Sequence, residues 1–353
     1  MDADEHATRF QELANAAAVC LLDASPSSIR PLAIRRPMTR SQFEATISPI
    51  LKMVYPQTHE AAGRQLLELT DRYVKQLSEI APTSAPDQAT AVLITYGDAI
   101  RSEREAPLAT LRRVLNSQVG DAITDVHLLP MFPSTSDDGF AVVDYRRISP
   151  SLGAWSDVAA LSGDYRLMFD FVANHVSSQN AWFRDWLAGD SRYDGYFIEF
   201  NPAFDATKVT RPRTSPLFHT YPRDNGSEAK VWTTFGDDQT DLNLASSATF
   251  LELTDVLLGY IARGASMLRL DAIGYLWAES GTNCIHLPQT HAIVNLWRAV
   301  IEYVRAGTQT ITETNVPDAE HISYLCNGSR DANQAHQSPP PPLVLPHLPT
   351  TAP

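Results

Sequence analysis

Cysteine is scarce: Cys20, Cys284 and Cys326 are the three in 353 residues, odd in number and far apart. That excludes a disulfide framework and a CxxC metal knuckle, and leaves buried thiols as the plain reading. No run approaches the ~18 consecutive apolar residues that span a bilayer. The start, MDADEHATRF, is acidic and polar where a secretory leader is basic and then apolar. The expectation is a cytoplasmic protein with no membrane partner. Basic residues are outnumbered, 28 against 41 acidic, and the net charge of −13 repels nucleic acid. A small neutral substrate suits that field better. What remains is globular in composition, with 44% hydrophobic, 20% charged and 9% aromatic residues, so a disordered, collagen-like or coiled-coil chain is excluded. At ~150 residues per domain, the length allows two domains or one large α/β domain.

Residues 1–88 lack strong strand signals. SQFEATISPILKMVY and AAGRQLLELTDRYVKQLSEI place apolar residues at helical spacing, which predicts a helical N-terminal segment ending in the connection APTSAPDQAT. From 89 the pattern becomes short apolar runs alternating with helical stretches. The runs AVLITYG (91–97), ITDVHLLP (123–130), YRLMFDFVANH (165–175), ASMLRLDAIG (265–274) and TQTITETN (308–315) predict five strands. Helical patterns fall at 107–120, 250–264 and 291–307, so the strands belong in a parallel sheet covered by helices. The polar, aromatic stretch 176–249 reads as an excursion off that sheet. From Ser338 to the end there are seven prolines in sixteen residues, which predicts a disordered tail. The expected domains are 1–88, a catalytic unit over 89–328, and a tail over 329–353.

Three carboxylates stand where an apolar strand gives way to a loop: Asp170 in LMFDFVANH, Asp271 in LRLDAIG and Glu313 in ITETN. In βα architectures that edge hosts the chemistry. Retaining cleavage of a glycosidic bond needs two carboxyl groups ~5 Å apart, one ionised and one protonated. Neighbouring strands ~4.8 Å apart supply that spacing. Asp271 and Glu313 are the candidate pair. Arg269 shares a strand face with Asp271, and its cation is expected to lower the pKa of that carboxyl. Taken singly, each acid also reads as a strand-end cap or an ion-paired residue.

These blocks carry a resemblance. DFVANH (170–175), RLDAIGYLW (269–277) and TETNVP (312–317), in this order, resemble the signature strands of glycoside hydrolase family 13, the α-amylase family, and within it the sucrose phosphorylase subgroup that includes glucosylglycerate phosphorylases. The resemblance implies a (β/α)8 TIM-barrel catalytic domain, with Asp271 as nucleophile, Glu313 as acid/base and Arg269 as the nucleophile's partner. It implies that His175 binds the glucosyl hydroxyls. LPMFPSTSDDGFAVVDY (129–145) and TTFGDDQTDLN (233–243) extend it, implying that Asp137, Phe140, Phe235 and Gln239 line the same sugar subsite. Carboxylates and histidine around an aromatic wall suit a pyranose. Taken alone, Phe140 or Phe235 is more often core than a sugar platform, and His175 more often a structural histidine.

The leading activity implied is transfer of glucosyl from sucrose or a related α-glucoside to inorganic phosphate. An α-glucosidase-like hydrolase and a non-catalytic sugar-binding chain stay open. A phosphorylase must seat an anion beside its acids, and VTRPR (209–213) offers Arg211 and Arg213, with Arg146 and Arg147 as further candidates. A solvated basic loop is the alternative. His286 and His291 miss the one-turn spacing of a metal pair, so neither metal nor cofactor is expected. The pattern also breaks. No His-Asp pair follows Glu313 and only 40 residues remain after it, so about five of eight βα units are expected. An open apolar edge, a shortened or frame-shifted gene product and little turnover by this chain are the corresponding expectations.

Overall fold

The computed structural model describes residues 38–79 and 89–313, with the backbone of 334 and 335. The helical reading of 1–37, the connection 80–88, the TNVP half of the last motif, the tail, Cys20 and Cys326 lie outside the described residues. All that is described belongs to the unit Arg36–Pro353.

Two helices lead, α1 (Arg40–Val54) and α2 (His59–Leu77). Thr39 starts α1 in a capping box with Gln42, satisfying orphan N–H groups. Phe43, Ile47, Leu51 and Val54 then form its buried stripe. The βα alternation follows: β1 (Val92–Thr95), α3 (Pro107–Val114), β2 (Asp125–Leu128), α4 (Trp155–Ser162) and β3 (Arg166–Val172). The excursion holds β4 (His175–Ser177), α5 (Ala181–Leu187), β5 (Phe218–Pro222), β6 (Glu228–Trp232) and β7 (Gln239–Asp241). The alternation resumes with α6 (Ser247–Ala262), β8 (Ala265–Asp271), α7 (Pro288–Val304), β9 (Gln309–Thr312) and a two-residue β10 (Gln334–Ala335).

The main sheet runs β1-β2-β3-β8-β9-β10, parallel throughout. All five expected strands are present. A two-residue β10 adds a further parallel pairing at the β9 edge, Gln334 with Ile311 and Ala335 with Thr312. The helices α4 and α5 carry no strong sequence pattern; α4 is short and is started by Asp157, whose Oδ2 accepts from Ala154 N at 2.8 Å. Within 176–249, β4 pairs β7 and β5 pairs β6, both antiparallel and off the main sheet.

The strands alternate by face, as period 2 demands. On the outer face Phe169 and Phe171 of β3 meet α6 and α7: both rings pack edge-on against Tyr260, and Phe171 also against Trp297 at 5.2 Å. Helix α1 closes over α7 through the stacked pair Phe43–Tyr303, 4.5 Å apart. Roughly 2–3 kcal/mol per buried large apolar side chain makes this layer the source of stability. The inner face holds Asp170, Arg269 and Asp271. At the sheet edge, Val92 and Ile94 of β1 are 43% and 54% exposed.

Candidate active site

Strand register decides what meets. Asp170 is paired with Arg269 across β3 and β8, and Leu270 with Thr312 across β8 and β9. Glu313 follows β9 immediately, and its N–H donates to Leu270 O at 3.0 Å. Asp271 and Glu313 therefore leave adjacent strand tips on the same side of the sheet. One guanidinium gathers the acids: Arg269 Nη1 donates to Asp170 Oδ1 at 2.6 Å and Asp271 Oδ1 at 2.9 Å, while Nη2 lies 3.7 Å from Glu313 Oε1. After Asp271 the chain turns sharply at Ala272, whose φ of +51° is a left-handed value that costs a non-glycine residue energy. The turn aims Ala272 N at Glu313 Oε2, 3.4 Å away.

The expected ionisation of Asp271 needs correction. Burial pushes its carboxyl up, and Glu313 and Asp170 push in the same direction; Arg269 pulls down but is outweighed, leaving a pKa of about 8. One cation among three buried carboxylates cannot keep every one charged.

The remaining sugar-subsite candidates converge. Gln239 Nε2 donates to Asp137 Oδ2 at 2.9 Å and to His175 Nε2 at 3.0 Å. His175 is neutral at pH 7, because burial pushes its pKa down to about 4 against the opposing pull of Asp137. The pairing of β4 with β7 creates this meeting, Ser177 lying opposite Gln239. Phe235 lies 5.0 Å from the His175 ring, and Arg269 sits over the face of Phe140 at 5.6 Å. The loop bearing Asp137 has left-handed φ at Asp137 and Asp138. It is fastened by Asp238, whose Oδ2 accepts from Ser136 Oγ at 2.6 Å and also from Thr135. Burial raises the pKa of Asp238, but its four hydroxyl donors outweigh that and hold it below the usual range.

A cavity of about 220 Å³ is lined by Asp137, Phe140, His175, Phe235, Arg269, Asp271 and Glu313, with Pro212, Arg213, Ala272 and Tyr275. Gln239 stands behind it, holding Asp137 and His175. Of the anion candidates, Arg213 reaches the cavity wall; Arg211 is exposed and is not in the lining. Arg146 is committed elsewhere, to Glu252 at 3.0 Å and Asp255 at 2.8 Å on α6. Sequence reading missed Tyr275, whose edge meets Phe235 at 5.6 Å. It also missed His127, whose Nε2 lies 2.9 Å from Asp170 Oδ2. Asp241 behind His175 was missed as well: it accepts from Thr234 N, Thr234 Oγ1 and Asn174 Nδ2, and burial pushes it up to about 7. Among the described residues, no group of three His, Cys, Asp or Glu is placed to hold a metal ion, and no helix is long and apolar enough to cross a membrane.

Comparison with known proteins follows the same lines. The family profile "Alpha amylase, catalytic domain" matches residues 120–337. The chain is 48% identical over 290 residues to a glucosylglycerate phosphorylase of Spirochaeta thermophila, covering 82% of this chain and 49% of that protein. It is 40% identical over 299 residues to a glucosylglycerate phosphorylase of Escherichia coli, covering 85% and 54%. Among solved structures, sucrose 6F-phosphate phosphorylase from Thermoanaerobacter thermosaccharolyticum superposes with a TM-score of 0.58 at 30% identity, over 65% of this chain and 48% of that one. The chain spans about half the length of the curated relatives it matches. Its parallel sheet is the described part of a (β/α)8-barrel fold. With more than half of its residues matched by that one profile, the chain belongs to the α-amylase family, glycoside hydrolase family 13.

Proposed function

We propose that this chain carries the reacting carboxylates of a retaining α-glucoside phosphorylase. The observation that carries the reading is Arg269, which holds Asp271 and Glu313 from adjacent strand tips around one sugar-sized cavity. In this reading an Asp271 carboxylate oxygen bonds to the anomeric carbon as its bond to the aglycone oxygen breaks, and that oxygen takes the proton from Glu313. A phosphate oxygen then attacks the same carbon, its proton returns to Glu313, and Asp271 leaves with its electron pair, giving α-glucose 1-phosphate. His175, Asp137, Phe140 and Phe235 bind the glucosyl ring, and Gln239 fixes the first two. Arg213 receives the anion, whose charge would otherwise face only acids and the paired Arg269.

The relatives support glucosylglycerate over sucrose as donor: identity to the two glucosylglycerate phosphorylases is 48% and 40%, against 33% and 32% to two sucrose phosphorylases. A second reading is a chain that binds sugar without transferring it. The pKa of about 8 at Asp271 favours this, since a protonated carboxyl is a poor nucleophile.

The full chain incubated with glucosylglycerate or sucrose, with and without phosphate, tests the reading. The expected result is α-glucose 1-phosphate formed from glucosylglycerate only when phosphate is present. Arg213→Ala is expected to raise the KM for phosphate roughly tenfold. Free glucose released at the same rate without phosphate supports a hydrolase instead. Donor binding by calorimetry without turnover supports the second reading.

A further inference from the structure

Four adjacent parallel strands each bring ionisable side chains to the inner face: His127 on β2, Asp170 on β3, Arg269 and Asp271 on β8, and Glu313 at the end of β9. Their contacts run in series. His127 Nε2 lies 2.9 Å from Asp170 Oδ2, and Asp170 Oδ1 accepts from Arg269 Nη1 at 2.6 Å. Nη1 continues to Asp271 Oδ1 at 2.9 Å, and Nη2 approaches Glu313 Oε1 at 3.7 Å. A carboxylate oxygen accepts, so in its Nε2–H tautomer His127 donates to Asp170. The side chain of Asp170 has no exposure and that of His127 has 4%, so solvent cannot replace a lost donor cheaply. Neither residue lines the sugar cavity.

The geometry points to His127 as a positioning residue: by holding one oxygen of Asp170, it fixes the Arg269 guanidinium against Asp271 and Glu313. Among the described residues Asp170 has two donors, one to each oxygen. Removing the His127 donor leaves Oδ2 buried and unsatisfied, and the carboxylate then competes through both oxygens for Arg269. The guanidinium is drawn toward β3 and away from Asp271. A lone histidine in the apolar run DVHLLP is otherwise a costly choice on a buried strand, and this contact accounts for it.

The role in transfer rests on the phosphorylase reading above, whereas the role in holding Arg269 does not, and the experiment separates them. Asp271 is faced by Arg269 on its own strand, Asp170 on β3, Glu313 after β9 and Tyr145 from the loop between β2 and α4. Its titration, followed by carboxyl 13C NMR of the full chain and assigned with Asp271→Asn, therefore reports how close the cation stays. In His127→Leu the midpoint is expected to move up by at least about half a pH unit, and in His127→Gln, whose amide reaches Asp170, to stay within about 0.2 of the parent value. A His127→Leu chain that melts cooperatively and titrates as the parent overturns the proposal. If that variant does not fold, His127→Asn, with an amide too short for Asp170, carries the same two outcomes.

The second measurement uses α-glucosyl fluoride, from which attack by Asp271 displaces fluoride. His127→Leu is expected to lower the fluoride release rate about 100-fold at unchanged KM, with His127→Gln within about threefold of the parent. Release at the parental rate in His127→Leu also overturns the proposal. No release from the parent chain refutes the transferase reading, and the titration still decides the role of His127.

Discussion

The two faces of β3 and β8 are built from alternate residues of the same short segments, yet they answer to different physics. Phe169, Phe171, Leu268 and Leu270 point outward into the helix layer and are buried among apolar neighbours. Asp170, Arg269 and Asp271 point inward and are buried among charges. Burial stabilises the first set through transfer and packing. It destabilises the second, which is tolerated only because the charges satisfy one another. The candidate site and the core that carries it are thus one residue apart in sequence and opposed in energetic sign.

That opposition can be broken from either side. The largest effect is expected at Asp271→Asn, which should reduce glucosyl transfer by roughly 10³-fold or more while leaving the fold intact. The same variant is expected to be the more stable chain at neutral and mildly alkaline pH. The pKa of Asp271 is raised from 3.8 to about 8, so between those values the folded chain holds a proton that the unfolded chain has lost. Stability of the parent then falls as pH rises through that window, and asparagine removes the dependence. Melting temperatures at pH 5 and pH 8 check this, with the variant expected to exceed the parent by a few °C, about the size of a 1 kcal/mol effect, at pH 8. A variant that is less stable at pH 8 would show that the Arg269 pairing outweighs the burial.

On the outer face, Phe171→Ala is expected to cost about 3–5 kcal/mol in denaturant unfolding, since the ring is fully buried between Tyr260 and Trp297. The smallest effect is expected at Ile94→Ser. Ile94 shares the inner face but lies on the edge strand, 54% exposed, and the change should stay within about 0.5 kcal/mol. A cost comparable to that at Phe171 would mean the edge is covered in solution.

Much of the architecture is legible in the sequence because it depends on local pattern. The five strands announce themselves as apolar runs, and α6 and α7 as long helical stretches. Asp271 and Glu313 stand out because a carboxylate at the end of a buried strand is unusual wherever that strand goes. What escapes is whatever depends on a distant partner. His127 finds Asp170 forty-three residues later, and nothing within DVHLLP signals it. Arg211 and Arg213 are chemically alike in VTRPR, and the loop's path alone puts Arg213 at the cavity. Arg146 resembles an anion ligand until α6 brings Glu252 and Asp255 to it.

The sequence by itself determined which residues could do chemistry and on which strand ends they stand, since period 2 and apolar runs are properties of neighbouring residues. Only the tertiary structure decided their protonation and their partners. Asp271 sits beside an arginine in the chain, which argues for a low pKa, yet three buried carboxylates share that one cation and the balance goes the other way. Solvent exclusion and the distances between charges are sums over strands that sequence order keeps apart.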